Sequence, residues 1–527
     1  MTTGSDRTWS PFTIGWFIVV AGAVIFRVLT TSSWSFFQDD WVYLGAAGET
    51  PFLDFVIQDY NSHLMPAGFA LVWVATALSP LDYTWVMAST SVMTVGLLVA
   101  WGLALRELFG ERLRLLFVLV LLGLGSVEMT LGLWWAASLQ YLPLQIASGV
   151  CVWLLARCLL RGPRVIEIAG IAIALLIGLL FWQKAILIAI PLAFLPLMVA
   201  PGHLAARMRL GFRCLWPAGL VSLGYLAVYV LVPRRASFDT FPNEFPRGRT
   251  LTEIAGFYSD AVTGVALPAV VGGPFTEVSD AYGRLQSPPT WLALVLAVSA
   301  LAAVVMALRL RSRSAPALGL VATYALVSWG TVLFSSRYDD FGVAAVYEGR
   351  YLCDVLPVLL LAVVFLVTPL RTEPDQQSTQ LRRVVGGYAV VVSCVALVVS
   401  AHTWNLTRDS SPKPWVDALV SDARELEGVG VYDSVAPANV IDPVFMFGRA
   451  NVSDLLSPLD LDLEFNAPTQ DGLLIAGSDG RFYQGEVASP VSTSISPGPQ
   501  PDCGYLLEPG RTVRVPLTAS VYEFEWI

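Results

Sequence analysis

The chain has 527 residues, 55% hydrophobic and only 14% charged, with a mean hydropathy of +0.63 and a net charge of −9. A soluble domain is nearer one-quarter charged, so a water-soluble enzyme is excluded, and the lack of a basic patch excludes a nucleic-acid binder. Many windows approach the roughly twenty apolar residues that cross a bilayer, which makes this a polytopic membrane protein.

In chain order, apolar runs predict eleven spans near residues 12–31, 84–105, 113–126, 139–157, 165–182, 184–200, 213–232, 290–308, 315–334, 351–370 and 384–403. The first lacks a small-residue cleavage site and reads as a retained helix rather than a signal peptide. One further run, "LMPAGFALVWVATALS" at 64–79, is apolar but short. Charge decides its place. With 64–79 lying on the outer surface and the N-terminus cytoplasmic, every inside connection is basic: Arg106, Arg112 and Arg114; Arg157, Arg161 and Arg164; Arg207, Arg209 and Arg213; Arg309, Arg311 and Arg313; Arg371, Arg382 and Arg383. The first outside loop, 32–83, has no Lys or Arg and carries Asp39, Asp40, Glu49, Asp54, Asp59 and Asp82. Were 64–79 to span, "RELFGERLR" would fall outside and break the pattern. The expectation is therefore an α-helical polytopic protein with about eleven spans, N-terminus in and C-terminus out, and a surface helix at 64–79.

Residues 1–403 form the membrane domain, with external loops 32–83, 233–289 and 335–350. The 233–289 loop is too long for a plain connection and is expected to be functional or independently folded. Beyond residue 404 hydropathy collapses. "PWVDALVSDAREL" reads as a helix, and "GVGVYDSV", "GLLIAGSD" and "RTVRVPLTASVYEFEWI" read as strands. Residues 404–527 are thus expected to be a mainly-β exocytoplasmic domain, and the abrupt end at Ile527 suggests a truncated chain. Cys151, Cys158, Cys214, Cys353 and Cys394 lie in or beside apolar runs, and only Cys503 has polar surroundings. No Cys/His spacing suggests a structural metal.

Ionisable groups at outer helix ends come together on one side of the membrane in this topology. In "SFFQDDWVYL" the adjacent acids Asp39 and Asp40 stand among Phe, Trp and Tyr. Repulsion between them should raise one pKa. They read either as a general base or metal ligand at the membrane lip or as hydrated helix-end acids. Lys184, in the tight turn "FWQKAIL", reads either as a phosphate contact or as a snorkelling lysine. "SSRYDDFGVAAVYEGRYLC" carries Arg337, Asp339, Asp340, Glu348 and Arg350. Arg350 could clamp a phosphate together with Lys184, or it could pair locally with Glu348 or Asp354. His63 reads as a substrate contact or as a structural histidine.

These motifs resemble those of the GT-C glycosyltransferases, polytopic enzymes that use lipid-phosphate sugars, and most of all the protein O-mannosyltransferase and lipid A aminoarabinose transferase branch. That family carries an Asp-Glu pair with a Tyr three residues after the Glu, then a His/Pro stretch and a surface helix. Here "DDWVY" supplies Asp39, Asp40 and Tyr43, with Asp in place of Glu, and "HLMPAG" supplies His63 and Pro66. "WQKAILIAIPLAFLPL" is similar to the family's lysine-containing helix start, and "EGRYLCDVLPVLLL", with Arg350 and Tyr351, to its Arg-Tyr segment. One departure is "SLQYLPLQIA": Gln140 stands ahead of Pro143 where relatives often place an Asp before Pro, and Glu128 is the nearest acid.

The resemblance implies transfer of a sugar from a polyprenyl-phosphate donor to an acceptor hydroxyl on a cell-envelope glycan, lipid or protein, with inversion, at the outer face of the plasma membrane. It implies catalysis by Asp39 with Asp40, and substrate contacts from Tyr43, His63, Lys184, Arg337, Arg350 and Tyr351. A divalent cation, Mg²⁺ or Mn²⁺, is left open by the missing second carboxylate. The tail resembles that of cell-envelope arabinosyltransferases, and Tyr483, Tyr505, Tyr522 and Trp526 would either stack on sugars or pack a β core. The main alternative class is a transporter or flippase of a lipid-linked or envelope component. It calls for charged or broken helices at the membrane midplane, for which the candidates are Arg27 and Glu167.

Overall fold

In a computed structural model, residues 9–60, 63–231, 248–273, 288–310, 313–374, 378–446, 448–466 and 473–485 are described. The predicted spans each coincide with helix. They are α1 (Pro11–Ser32), α5 (Thr84–Phe109), α6 and α7 (Leu116–Leu124 and Ser126–Leu133), α8 (Trp135–Arg161), α9 (Val165–Phe181) and α10 (Ala189–Val199). The later ones are α11 (Leu204–Leu231), α14 (Thr290–Leu310), α15 (Ser314–Leu333), α17 (Val355–Val367) and α18 (Thr379–Asp409). Eight segments among the described residues are long and apolar enough to cross a membrane. The segments at 165–181, 183–199 and 355–367 are shorter apolar helices. So is α4 (Pro66–Leu78), which at 13 residues is as long as α17, about 20 Å.

The connections carry further helices: α2 (Asp39–Glu49), α3 (Phe52–Val56), α12 (Leu251–Asp260), α13 (Leu267–Val270) and α16 (Ser336–Phe341). Past α18 come α19 (Lys413–Ala423), α20 (Pro443–Met446) and α21 (Val452–Leu456). They accompany strands β1 (Val429–Tyr432), β2 (Leu463–Phe465), β3 (Leu474–Ala476) and β4 (Phe482–Gln484).

The centre of the bundle is α6–α7 with α8, packed against α5, α9 and α1. Most of the 113–133 segment is buried, whereas α14 is largely exposed. Leu294, Val298 and Leu301 of that helix need lipid around them. Buried Arg27 of α1 donates to the carbonyls of Glu128 (3.0 Å) and Met129 (3.4 Å) on α7. Its guanidinium lies so close over Gly132 that any Cβ there would collide with it. Near the other ends, Glu167 pairs with Arg157 (3.1 Å), and Glu107 with Arg161 and Arg371. α5 and α8 both stop at a positive-φ glycine, Gly110 and Gly162, the usual C-terminal signal.

Two further regions are described in part. The described part of the 233–289 loop is helical and packs on the rest of the protein: Phe257 is buried, its ring 5.6 Å from that of Tyr338. Arg249 forms a two-pronged ion pair with Asp339. The described residues of 404–485 combine helices with a small four-stranded sheet. The predicted helix and the strands at 429–432 and 474–476 are present, but β1 lies parallel to both β2 and β3, and β4 closes the sheet antiparallel, in the order β2-β1-β3-β4. Parallel strands need crossovers, and α20 and α21 occupy the one between β1 and β2. The strand expected at 511–527, Cys503, Tyr505, Tyr522 and Trp526 lie outside the described residues. Tyr483 is exposed and donates to Asp479 (2.7 Å).

Candidate active site

The two acids that open α2 point to different places. Asp40 is buried, and its carboxylate accepts from the backbone N–H groups of Ala136 (2.7 Å), Phe37 (3.1 Å) and Trp135 (3.4 Å). Extended Trp134 breaks the chain between α7 and α8, leaving the first N–H groups of α8 without intrahelical partners. Asp40 therefore caps α8 from 95 residues away, its oxygens meeting N–H groups that the helix start leaves open. Burial pushes its pKa up to about 8, against the pull of the three N–H donors, and repulsion by Asp39 is a lesser cause. The acid of the pair that shifts is thus Asp40, chiefly through burial. Both Asp40 carboxyl oxygens are thus engaged by backbone N–H groups.

Asp39 is only partly buried, and its Oδ1 accepts from the Tyr60 phenol at 2.6 Å. Burial, then the charge of Asp39, holds the Tyr60 hydroxyl well above its usual pKa, so it remains a donor. Tyr43 packs edge-on against Tyr60 (4.9 Å between centroids) and Phe69 (5.3 Å) and buttresses the Tyr60 ring. The pair is positioned by an unusual backbone. Gln38, just before Asp39, has φ 51° and ψ −118°, the first central position of a type II′ turn closed by Asp40 N–H to Phe37 C=O (3.1 Å). Glycine is the rule there, and another residue in such a region costs about 1–3 kcal/mol.

Tyr60 also exchanges backbone hydrogen bonds with His63, which carries the cluster onward. His63 Nε2 faces Arg337 Nη2 at 2.9 Å. Nδ1 faces the Gln183 amide (2.8 Å) and the Trp182 indole N–H (3.3 Å). A guanidinium only donates, so Nε2 accepts from Arg337. Burial, followed by the charges of Arg337 and Arg350, lowers the His63 pKa to about 3. Arg337 Nη1 donates in turn to the Tyr351 phenol at 3.0 Å.

The three cations differ in how they are compensated. Lys184 is buried, with Nζ 3.1 Å from Asp354 Oδ1 and 5.2 Å from the centroid of the Trp182 ring. Asp354 is itself buried and also accepts from Ser328 (2.7 Å) and Tyr324 (3.4 Å). Arg350 pairs with Glu348 (3.0 Å) and lies over the rings of Trp134 (4.5 Å) and Tyr351 (5.0 Å). Among the described residues no carboxylate lies within ion-pair distance of Arg337, whose partners are His63 and Tyr351. Asp39 lies within electrostatic reach of Arg350, and Tyr60 feels both Asp39 and Arg337.

Asp39, Tyr43, His63, Lys184, Arg337, Arg350 and Tyr351 thus form one continuous cluster spanning 39 to 351 in sequence, with Asp40 beneath it. Sequence reading missed Tyr60, Trp182, Gln183 and Asp354. The first lies three residues before His63, and the next two flank Lys184 in "FWQKAIL". Asp354 was weighed only as a partner for Arg350. Gln140 contacts Met65 sulfur (3.6 Å), and Glu128 is bonded to Gln145 (2.8 Å).

No protein-family model matches the sequence, and no curated protein does. Five chains of solved structures are similar, among them the following two. One is the cryo-EM structure of arabinofuranosyltransferase AftD from Mycobacteria, at 14% identity and a TM-score of 0.42 over 85% of this chain. The other is the crystal structure of ArnT from Cupriavidus metallidurans bound to undecaprenyl phosphate, at 13% identity and a TM-score of 0.36 over 87% of this chain. The match covers 31% of AftD and 92% of ArnT, so this chain spans about a third of AftD's length. Likeness at this level says nothing by itself about what the chain does.

Proposed function

We propose that the chain is a glycosyltransferase of the GT-C kind, moving a sugar from a polyprenyl-phosphate donor to an acceptor hydroxyl of the cell envelope. The observation that carries this reading is Arg337: a guanidinium with no carboxylate partner among the described residues, in a cluster with one accessible acid, Asp39. A cation left so beside the bilayer is costly, and a phosphate relieves the cost by bidentate hydrogen bonding. Arg350 stands beside it as a second contact, shared with Glu348.

In the reaction, Asp39 takes the proton of the acceptor hydroxyl while that oxygen bonds to the anomeric carbon. The bond from the anomeric carbon to the phosphate oxygen breaks, and the phosphate leaves with the electron pair. Arg337 and Arg350 stabilise the charge that accumulates there. A single displacement from the opposite face inverts the anomeric centre. His63, neutral and accepting from Arg337, aims the guanidinium. Lys184, neutralised by Asp354, ties the α9–α10 connection to α17 and supports the Trp182 ring behind His63.

A divalent cation fits this site poorly. Asp40 is engaged by backbone, and the described residues contain no group of three candidate ligands. The reading therefore gives phosphate neutralisation to the two arginines. The same reading puts the cluster at the outer face of the plasma membrane, with eleven spans, a cytoplasmic N-terminus and an external C-terminal domain, as the basic connections on the opposite side require. Arg27 and Glu167, the residues a transporter would use, are bonded to carbonyls and to Arg157.

The test is transfer of radiolabelled sugar from a polyprenyl-phosphate donor by purified protein. Transfer by the wild type that is abolished in Asp39→Asn and Arg337→Ala supports the proposal. Equal behaviour of all three defeats it.

A further inference from the structure

The strained turn that presents Asp39 is held by the C-terminal domain. Gln38 is fully buried and makes three hydrogen bonds to one short segment some 400 residues away. Its backbone N–H donates to Val440 C=O (3.1 Å), its side-chain amide donates to Ala438 C=O (3.3 Å), and its amide oxygen accepts from Asp442 N–H (3.0 Å). A primary amide is the side chain that can give and take in this way at once.

The same segment continues into Phe445, whose ring lies 5.0 Å from that of Phe341 at the end of α16, the helix that carries Arg337. Farther along, α21 and the turn after it support α2. A Cβ on Gly45 would stand 3.0 Å from Ser457 Oγ, so the helix lies directly on this turn. Residues 438–458 thus touch both the element that bears the acid and the element that bears the unpaired arginine.

We infer that the C-terminal domain is a working part of the catalytic centre: residues 438–445 position Asp39 through Gln38, and Arg337 through Phe341. Gln38 is a positioning residue. It faces away from substrate and acts by holding Asp39 in a backbone geometry that glutamine would not adopt unaided. Displacing a base by an ångström costs rate far more than it costs binding. The inference rests on the reading of Asp39 as the base.

Gln38→Gly separates tether from strain. Glycine accepts φ 51° freely, so the variant keeps the turn and relieves its strain while losing both side-chain bonds. In the full-length protein its kcat should fall on the order of 10- to 100-fold, with the KM for the lipid-phosphate sugar within about twofold of wild type. Gln38→Glu keeps the acceptor for Asp442 N–H and should fall in between. Phe445→Ala should raise the donor KM instead. Amide exchange of residues 35–42 gives a readout independent of turnover and should speed up in Gln38→Gly. Wild-type kcat in Gln38→Gly, or unchanged exchange there, overturns the inference. If the wild type itself transfers no sugar, the functional reading falls, and the exchange result alone decides whether the tether exists.

Discussion

Arg337 bridges His63 and Tyr351, donating to the imidazole at 2.9 Å and to the phenol at 3.0 Å, with no carboxylate at ion-pair distance among the described residues. Both partners are neutral, so the guanidinium keeps its full charge for a ligand. Arg337→Ala should lower kcat/KM on the order of 10²- to 10³-fold, and Arg337→Lys should recover only part, since an ammonium cannot make the paired contact. Free polyprenyl phosphate should inhibit the wild type competitively and Arg337→Ala hardly at all. Equal inhibition of both would remove phosphate from this site.

The adjacent acids should separate cleanly by experiment. Asp39→Asn should cost on the order of 10²- to 10⁴-fold in turnover and leave thermal stability nearly unchanged. Asp40→Ala strips the acceptor from Ala136 and Phe37 N–H groups. It should destabilise by about 1–3 kcal/mol for each donor left unpaired, seen as a lower melting temperature in detergent. If Asp39→Asn melts early and Asp40→Ala is merely inactive, the assignments are reversed.

His63 should be invisible in the pH–rate profile between pH 5 and 8. Its pKa is lowered to about 3 in the folded chain, against an ordinary 6.5 when unfolded. The unfolded chain binds the extra proton first. The His63 contribution is therefore fully present above pH 6.5 and is lost as pH falls from there toward 3, by at most about 1.4 kcal/mol per pH unit. His63→Gln should flatten that acid limb of the stability curve. A limb that stays as steep would place the titration elsewhere.

Lys184 and Asp354 form a buried pair that can be tested as a pair. Lys184→Met leaves the Asp354 carboxylate buried without its cation and should cost about 3–5 kcal/mol, while the double variant Lys184→Met, Asp354→Leu should recover most of it. A double variant that folds and still transfers sugar would show the pair to be structural. One that folds and shows no transfer would return Lys184 to the phosphate.

Much of the cluster could be read from residue type and order alone. Asp39, His63, Lys184, Arg337 and Arg350 stood out because charge at helix ends in an apolar chain is rare, and the arginine count of the connections put them on one side. Their individual roles were not legible. Nothing in "DDWVY" says that the second acid turns inward to cap α8, because the N–H groups it satisfies belong to Trp135 and Ala136. Nothing local marks Asp354 rather than a phosphate as the partner of Lys184, or Glu348 rather than Asp354 as that of Arg350. The tail was legible in part: its helix and two of its strands were read from composition, but not that β1 would lie parallel to β2 and β3.

The sequence by itself determined the membrane class and the positions of the long helices, since hydropathy and length are properties of consecutive residues. Only the tertiary structure decided which charges are spent and which are left over. Compensation of a buried charge depends on what lies within about 4 Å in space, and here the deciding partners are far apart in the chain, 170 residues for Lys184 and Asp354 and 274 for His63 and Arg337.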